Sequence, residues 1–270
     1  MRKTELRAGF MVLLLILFLL VVLFGRQFAP NDPYASNLSA SNEAPSAEYP
    51  FGTDNLGRCI LSRVLSGAVA SVYTAILIVA VVSVFGTAVG LLAGYGGGWL
   101  DQILMKITLV FQAFPGFILA VAIAGMLGPG LKNAVFSLVA MYWTSYARLT
   151  RSLVLQVKNE AYVQAAILCG AKRRHILFRH ILPNIILPLM TTAVSDISNV
   201  ILSMAGLSFL GLGVQAPQAE WGLMISNGRQ FLQTAPWAIL FPSAAIFLSV
   251  VLFNLTGDCL RDLFTERGEV

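Results

Sequence analysis

Two places in the sequence hold side chains able to bind or move a polar partner. The first is Asp196, in the apolar run TTAVSDISNVIL. Asn199 follows three residues on and Thr192 precedes by four, so on a helix one face carries a carboxylate, an amide and a hydroxyl. An ionisable group inside a membrane span is costly and defaults to a functional role, here the lining of a path for a polar solute. The competing use is a tie between neighbouring helices. Gln112 and the polar aromatic cluster around Tyr142 are secondary candidates for the same path, set against the usual gathering of aromatic residues at membrane interfaces. The second place is EAYVQAAILCGAKRRHILFRHILPN, residues 160–184, where Lys172, Arg173, Arg174, Arg179 and both histidines follow the small residues Ala161, Ala165, Ala166 and Gly170. Such a segment binds rather than breaks bonds. A short helix of low relief can dock in a groove of another protein, or its cations can rest on anionic lipid headgroups. His175 and His180 are five residues apart, which misses the i, i+4 spacing of two ligands on one α-helical face, so they read as loop residues. With no histidine or cysteine inside a span, no metal site is expected.

The elements that must position these residues are membrane helices. The chain has 270 residues, 57% hydrophobic and 11% charged, and a mean hydropathy of +0.77. A soluble domain carries about 25% charged residues, so an all-α integral membrane protein is expected. The net charge of +5 then reports topology rather than nucleic-acid binding, because the cations lie between apolar runs and not on one basic face. Six spans are expected, at 8–25, 70–94, 103–127 (kinked at Pro115), 132–151, 183–206 and 236–256. The fourth is the least apolar and relies on Lys132 and Arg148 reaching the interfaces. The first is longer than the apolar core of a cleaved signal peptide. As units, residues 1–28 hold the first helix, 29–69 an extracytoplasmic loop rich in Pro, Asn and Ser, 70–256 a five-helix core with a cytoplasmic loop at 152–182, and 257–270 a cytoplasmic tail. With both termini in the cytoplasm, thirteen cations fall inside and five outside (Arg26, Arg58, Arg63, Lys132 and Arg229), as the positive-inside rule requires. Three dispersed cysteines, Cys59, Cys169 and Cys259, form neither a disulfide framework nor a zinc motif.

The segment QAAILCGAKRRHILFRHILP resembles the EAA loop of the permeases of binding-protein-dependent ABC importers. Ala165, Ala166, Gly170, Leu182 and Pro183 fall in register with that pattern, while Gln164 replaces its glutamate and His180 its first isoleucine. The segments FGTDNLGRCILSRVLSGA, GLSFLGLGVQAPQAEWGLMI and FNLTGDCLRDLF are similar to other signatures of the C-type subunit in the dipeptide, oligopeptide and nickel branch, with Cys59 where that branch usually has aspartate. The resemblance covers roughly 50–264. It implies a type I importer permease fold in the bacterial inner membrane, with Glu160, Gln164, Ala165, Ala166, Gly170, Ala171 and Pro183 on a coupling segment that sits in a cleft of an ATPase. The implied partners are a B-type permease forming a heterodimer, two ATP-binding cassette subunits, an extracytoplasmic binding protein and membrane lipid.

No GxxxxGK[ST] loop occurs in the chain, so no cofactor is expected here, and ATP and magnesium belong to the partner subunits. The segments MYWTSYARLTRSLV and FNLTGDCLRDLFTERGE are closer to nickel or metal-chelate permeases, which ranks those substrates first and di- or oligopeptides second. An ion-driven secondary transporter would show intramembrane charge chains and repeats. A membrane enzyme would show clustered catalytic groups in the spans. The sequence has neither.

Overall fold

A computed structural model describes residues 2–266; residues 267–270, with Arg267 of the expected tail, lie outside the described residues. The elements are α1 (Arg2–Phe24), α2 (Ile60–Ala68), α3 (Thr74–Gly96), α4 (Gly98–Gln112), α5 (Gly116–Leu127), α6 (Leu131–Lys158), α7 (Ala161–Leu168), α8 (Arg173–His175), α9 (Leu182–Phe209), α10 (Trp221–Gly228) and α11 (Trp237–Glu266). A π turn over Val69–Tyr73 joins α2 to α3, and another over Ile176–Ile181 joins α8 to α9, so that 60–96 and 173–209 are each one continuous rod.

Among the described residues, four rods are long and apolar enough to cross a membrane: Thr4–Phe28, Ile60–Gly96, Arg173–Phe209 and Trp237–Phe264. The pair α4 and α5 makes a fifth if it counts as one broken span, since the two helices meet at 84°. This corrects the expected kink at Pro115. The helix stops at Gln112, and Pro115 stands in extended conformation before α5, its carbonyl accepting from the Leu119 amide. A proline drives the residue before it out of the helical region, so the sequence FPG separates two helices instead of bending one. The fourth expected span, 132–151, is α6. Its 28 residues reach about 42 Å at 1.5 Å per residue, but it is more polar than the other rods and does not reach their hydropathy. The second rod starts at Ile60 rather than 70, taking in part of the expected outer loop.

Packing centres on α3 against α6. Gly86, Gly90 and Gly94 recur every fourth residue on one face of α3 and let the two backbones approach. A Cβ at Gly86 would stand 2.5 Å from the Trp143 carbonyl oxygen, and one at Gly90 2.5 Å from that of Ala147, one turn further along α6. Membrane helices gain little from excluding water from one another, so close contact of this kind drives association. Across the bundle α9 lies on α11, where the Ser198 hydroxyl donates to the Val250 carbonyl at 3.1 Å. α1 covers α11 from outside, with Phe18 edge-on to Phe253.

The connections gather at two ends. At one, residues 29–59 fold over α2, α10 and α11: Phe51 stacks on Phe241, Trp237 donates to the Thr53 carbonyl at 3.1 Å, and the buried Arg63 donates to the Pro33 carbonyl at 2.9 Å with Asp54 beside it. At the other end lie the α3–α4 turn and residues 158–182, joined where Lys158 donates to the Tyr95 carbonyl at 3.2 Å. The α3–α4 turn rests on Gly97 and Gly98, both with positive φ, a region in which glycine carries no steric penalty.

Candidate functional site

Residues 159–182 form a rigid bracket between α6 and α9. The Glu160 carbonyl accepts from the Val163 and Gln164 amides at 3.0 Å, which starts α7, while its carboxylate makes no capping bond. The Gln164 side chain reaches back and donates to the Lys158 carbonyl at 2.8 Å, closing the junction with α6. The helix ends on Gly170 with φ at 79°. There the Gly170 amide donates to the Ile167 carbonyl and the Ala171 amide to the Ala166 carbonyl, the paired bonds of a Schellman cap. Val163, Ile176 and Ile181 are buried and anchor the bracket. Ala161, Ala165, Leu168 and Gly170 are exposed, Leu168 at 87%, and so are Lys172, Arg173, Arg174 and Arg179. Val163 is the inward anchor, which leaves the outward face to the smaller Ala161 and Ala165 beside Leu168.

The histidines also depart from expectation. They are not unrelated loop residues. The turn between them is π-helical, and its i to i+5 hydrogen bonding places residues five apart one above the other, so the His175 and His180 rings lie 5.5 Å apart with Tyr162 6.2 Å from His180. Pro183 gives a reason for the wide turn, because it has no amide to donate backward and its ring crowds the carbonyl four residues before.

The second group lies where α9 meets α6. Asn199 donates to Asp196 at 3.1 Å, and the Tyr142 hydroxyl pairs with the Ser203 hydroxyl at 3.0 Å. The buried Tyr146 hydroxyl lies beside Asp196. Thr192 does not join them: its hydroxyl donates to the Pro188 carbonyl at 2.8 Å, the usual back-bond of a helical threonine. Gln112 belongs to a separate cluster on α4 and α6, donating to the Thr144 hydroxyl at 3.2 Å and accepting from Arg148. One turn further along α6, Arg151 grips Asp101 through two bonds of 2.5 and 2.7 Å.

Sequence reasoning missed Ser203, Arg148 and the Arg151–Asp101 pair, because each is defined by a partner on another helix. It also left α10 unassigned, although Glu220 before the run Trp-Gly-Leu is a capping signal: its carboxylate accepts from the Gly222 and Leu223 amides at 3.0 and 2.8 Å.

A rod with a broken neighbour, bracketed by a small-residue helix at one end, is a defined architecture, and the comparisons agree with it. Residues 86–268 match the family described as binding-protein-dependent transport system inner membrane component. The chain belongs to this family. The permease is 41% identical to the dipeptide transport system permease protein DppC of Alkalihalophilus pseudofirmus over 250 residues, 93% of this chain and 82% of that protein. It is 38% identical to the nickel transport system permease protein NikC of Escherichia coli K12, over 93% of this chain and 91% of that one. A solved structure of the MetNI methionine ABC transporter in inward-facing form shares the fold at a TM-score of 0.57 and 19% identity, covering 72% of the permease and 94% of that chain. The permease is thus a non-catalytic inner-membrane subunit with the type I importer fold, and ATPase and substrate-binding partners come with the family.

Proposed function

We propose that this permease forms one half of the path of an ATP-driven importer and receives the motion of the ATPase through residues 152–182. The observation that carries the proposal is the bracket. Glu160, Gln164, Ala165, Ala166, Gly170, Ala171 and Pro183 fall on or flank a short helix that is smooth outside, anchored inside and joined without a flexible linker to α6 and α9. A force on α7 therefore reaches the helix that carries Asp196. The termini and this bracket face the cytoplasm in this reading, as the excess of cations requires, and residues 29–59 face the binding protein. A B-type permease supplies the other half of the path, and two ATP-binding cassette subunits bind ATP and magnesium.

The path face, with Asp196, Asn199 and Tyr142, offers hydroxyl and amide groups beside a single carboxylate. Such a face suits the ammonium, amide and carboxylate groups of a short peptide passed by weak, exchangeable contacts. The relative named for dipeptide transport supports this substrate. The one named for nickel, with the two segments noted above, supports nickel or a metal chelate as the second reading. The test is uptake by cells expressing the whole transporter, with labelled dipeptide compared with labelled nickel, the latter with and without histidine as chelator. Loss of dipeptide uptake on deleting this subunit carries the first reading, and loss of nickel uptake carries the second. Uptake that survives removal of the ATPase and follows an ion gradient overturns the importer itself.

A further inference from the structure

We propose that His175 and His180 form a binding site for a divalent transition-metal ion of the nickel, zinc or copper class. The site lies on the bracket between α7 and α9 and does not depend on what the permease carries. Imidazole nitrogen suits these ions. A metal bound at 2.0–2.1 Å from a ring nitrogen lies about 3.2 Å from the ring centre, so two imidazoles at a tetrahedral angle hold their centres about 5.2 Å apart. The observed separation is 5.5 Å, with the ring planes 66° apart. The ring centres are thus already at the spacing one shared ion requires, and rotation about the side-chain bonds turns a nitrogen of each toward it.

The π turn creates this proximity. In α-helical geometry, residues five apart point about 140° away from each other. An ion shared by His175 and His180 therefore ties the two ends of the turn and favours this conformation of the bracket over one tightened to α-helical form. His175 is exposed and His180 half-buried, and a shallow cleft lined by His175, Phe178, Arg179 and Pro183 opens the first to solvent. Tyr162 stands beside His180, its ring centre 6.2 Å away. The two imidazoles are the chain's proposed ligands, with water in the remaining positions. Lys172, Arg173, Arg174 and Arg179 are all exposed on the same segment. Their charge opposes a dication and keeps the site weak enough to empty as free metal falls. The bracket thereby gains a reversible clamp at the point where motion is transmitted.

The test uses the full-length permease in detergent, purified on a tag without histidine, with Ni2+ titrated by calorimetry. Wild type and Cys169→Ser should each bind one ion, the latter because exposed Cys169 is a rival soft ligand on the same segment. His175→Gln and His180→Gln should each weaken binding by more than the roughly 10–100-fold that loss of an outer-shell partner costs. With Cu2+ as probe, the wild-type electron paramagnetic resonance spectrum should show coupling to two imidazole nitrogens, a readout that needs no variant. Absence of binding in the wild type, equal binding in both histidine variants, loss only in Cys169→Ser, or a copper spectrum without imidazole coupling would each overturn the proposal.

Discussion

The Arg151 guanidinium clasps the Asp101 carboxylate through two parallel bonds of 2.5 and 2.7 Å, pinning α4 to α6. A forked pair of this kind fixes orientation as well as distance. It sits one turn from Arg148, which holds Gln112 at the end of α4, where the broken span begins. Asp101→Asn keeps the shape and loses the charge and one acceptor. It should cost about 2 kcal/mol, the range for hydrogen bonds to charged groups, read as a lower unfolding midpoint in detergent. The exchange Asp101→Arg with Arg151→Asp should recover part of the loss. An unchanged midpoint in Asp101→Asn would mean that the pair contributes only orientation.

The glycine stripe of α3 makes a sharper prediction, because its neighbours are backbone and cannot rotate away. Gly90→Val places carbon 2.5 Å from the Ala147 carbonyl oxygen and the Thr150 Cβ. The cost should exceed the ~1–3 kcal/mol of ordinary overpacking, and little folded protein should survive extraction. Gly125→Ala on α5 is the control, since a Cβ there meets nothing within 4 Å. Size-exclusion profiles of the two variants give the answer. A well-behaved Gly90→Val peak would mean that α3 and α6 can separate without loss of the fold.

These two cases mark what the sequence could and could not reveal. Helix content and most of the spans were legible because each depends on local pattern, chiefly apolar length and proline position. The grouping of connections at two ends followed from counting spans. The Asp101–Arg151 and Gln112–Arg148 pairs were not legible, because partners 50 and 36 residues apart share no local signal. The approach of the histidines was hidden for a different reason. Spacing rules assume α geometry, and a π turn changes which residues share a face. Thr192 shows the opposite limit, since it has the right spacing for the polar face but gives its hydroxyl to its own helix.

The bracket should tolerate changes inside α7 far less well than its surface position suggests. Ala165→Arg adds a long cation to an exposed site and should leave permease folding unchanged. It should lower uptake, and transport-linked ATP hydrolysis with it, by tenfold or more, which corresponds to about 1.4 kcal/mol at the contact. Gln164→Glu is milder. It restores the residue usual in the resembling loop but removes the amide that donates to the Lys158 carbonyl, leaving a carboxylate beside a carbonyl oxygen. It should loosen the α6–α7 junction, seen as faster hydrogen exchange at 158–165, with a smaller fall in uptake. Full coupled hydrolysis in Ala165→Arg would remove α7 from the ATPase contact.

Asp196 separates a path from a tie. Asp196 accepts from Asn199, a neighbour on the same helix, and is half-buried while Asn199 is exposed. A tie between helices would bury such groups against a partner helix, whereas a path leaves hydrogen-bonding capacity for what passes. Asp196→Ala removes a charge that is costly to hold in a membrane, so the folded permease and its complex should survive. Uptake should fall by at least about tenfold if the lost group contributed 1.4 kcal/mol to passage. Asp196→Asn then divides the cause. It keeps an oxygen able to accept from Asn199, so recovery of uptake would assign the role to hydrogen bonding, and continued loss would assign it to the charge. Failure of Asp196→Ala to co-purify with the other subunits, with the isolated chain still folded, would place the residue in subunit contact and remove it from the path.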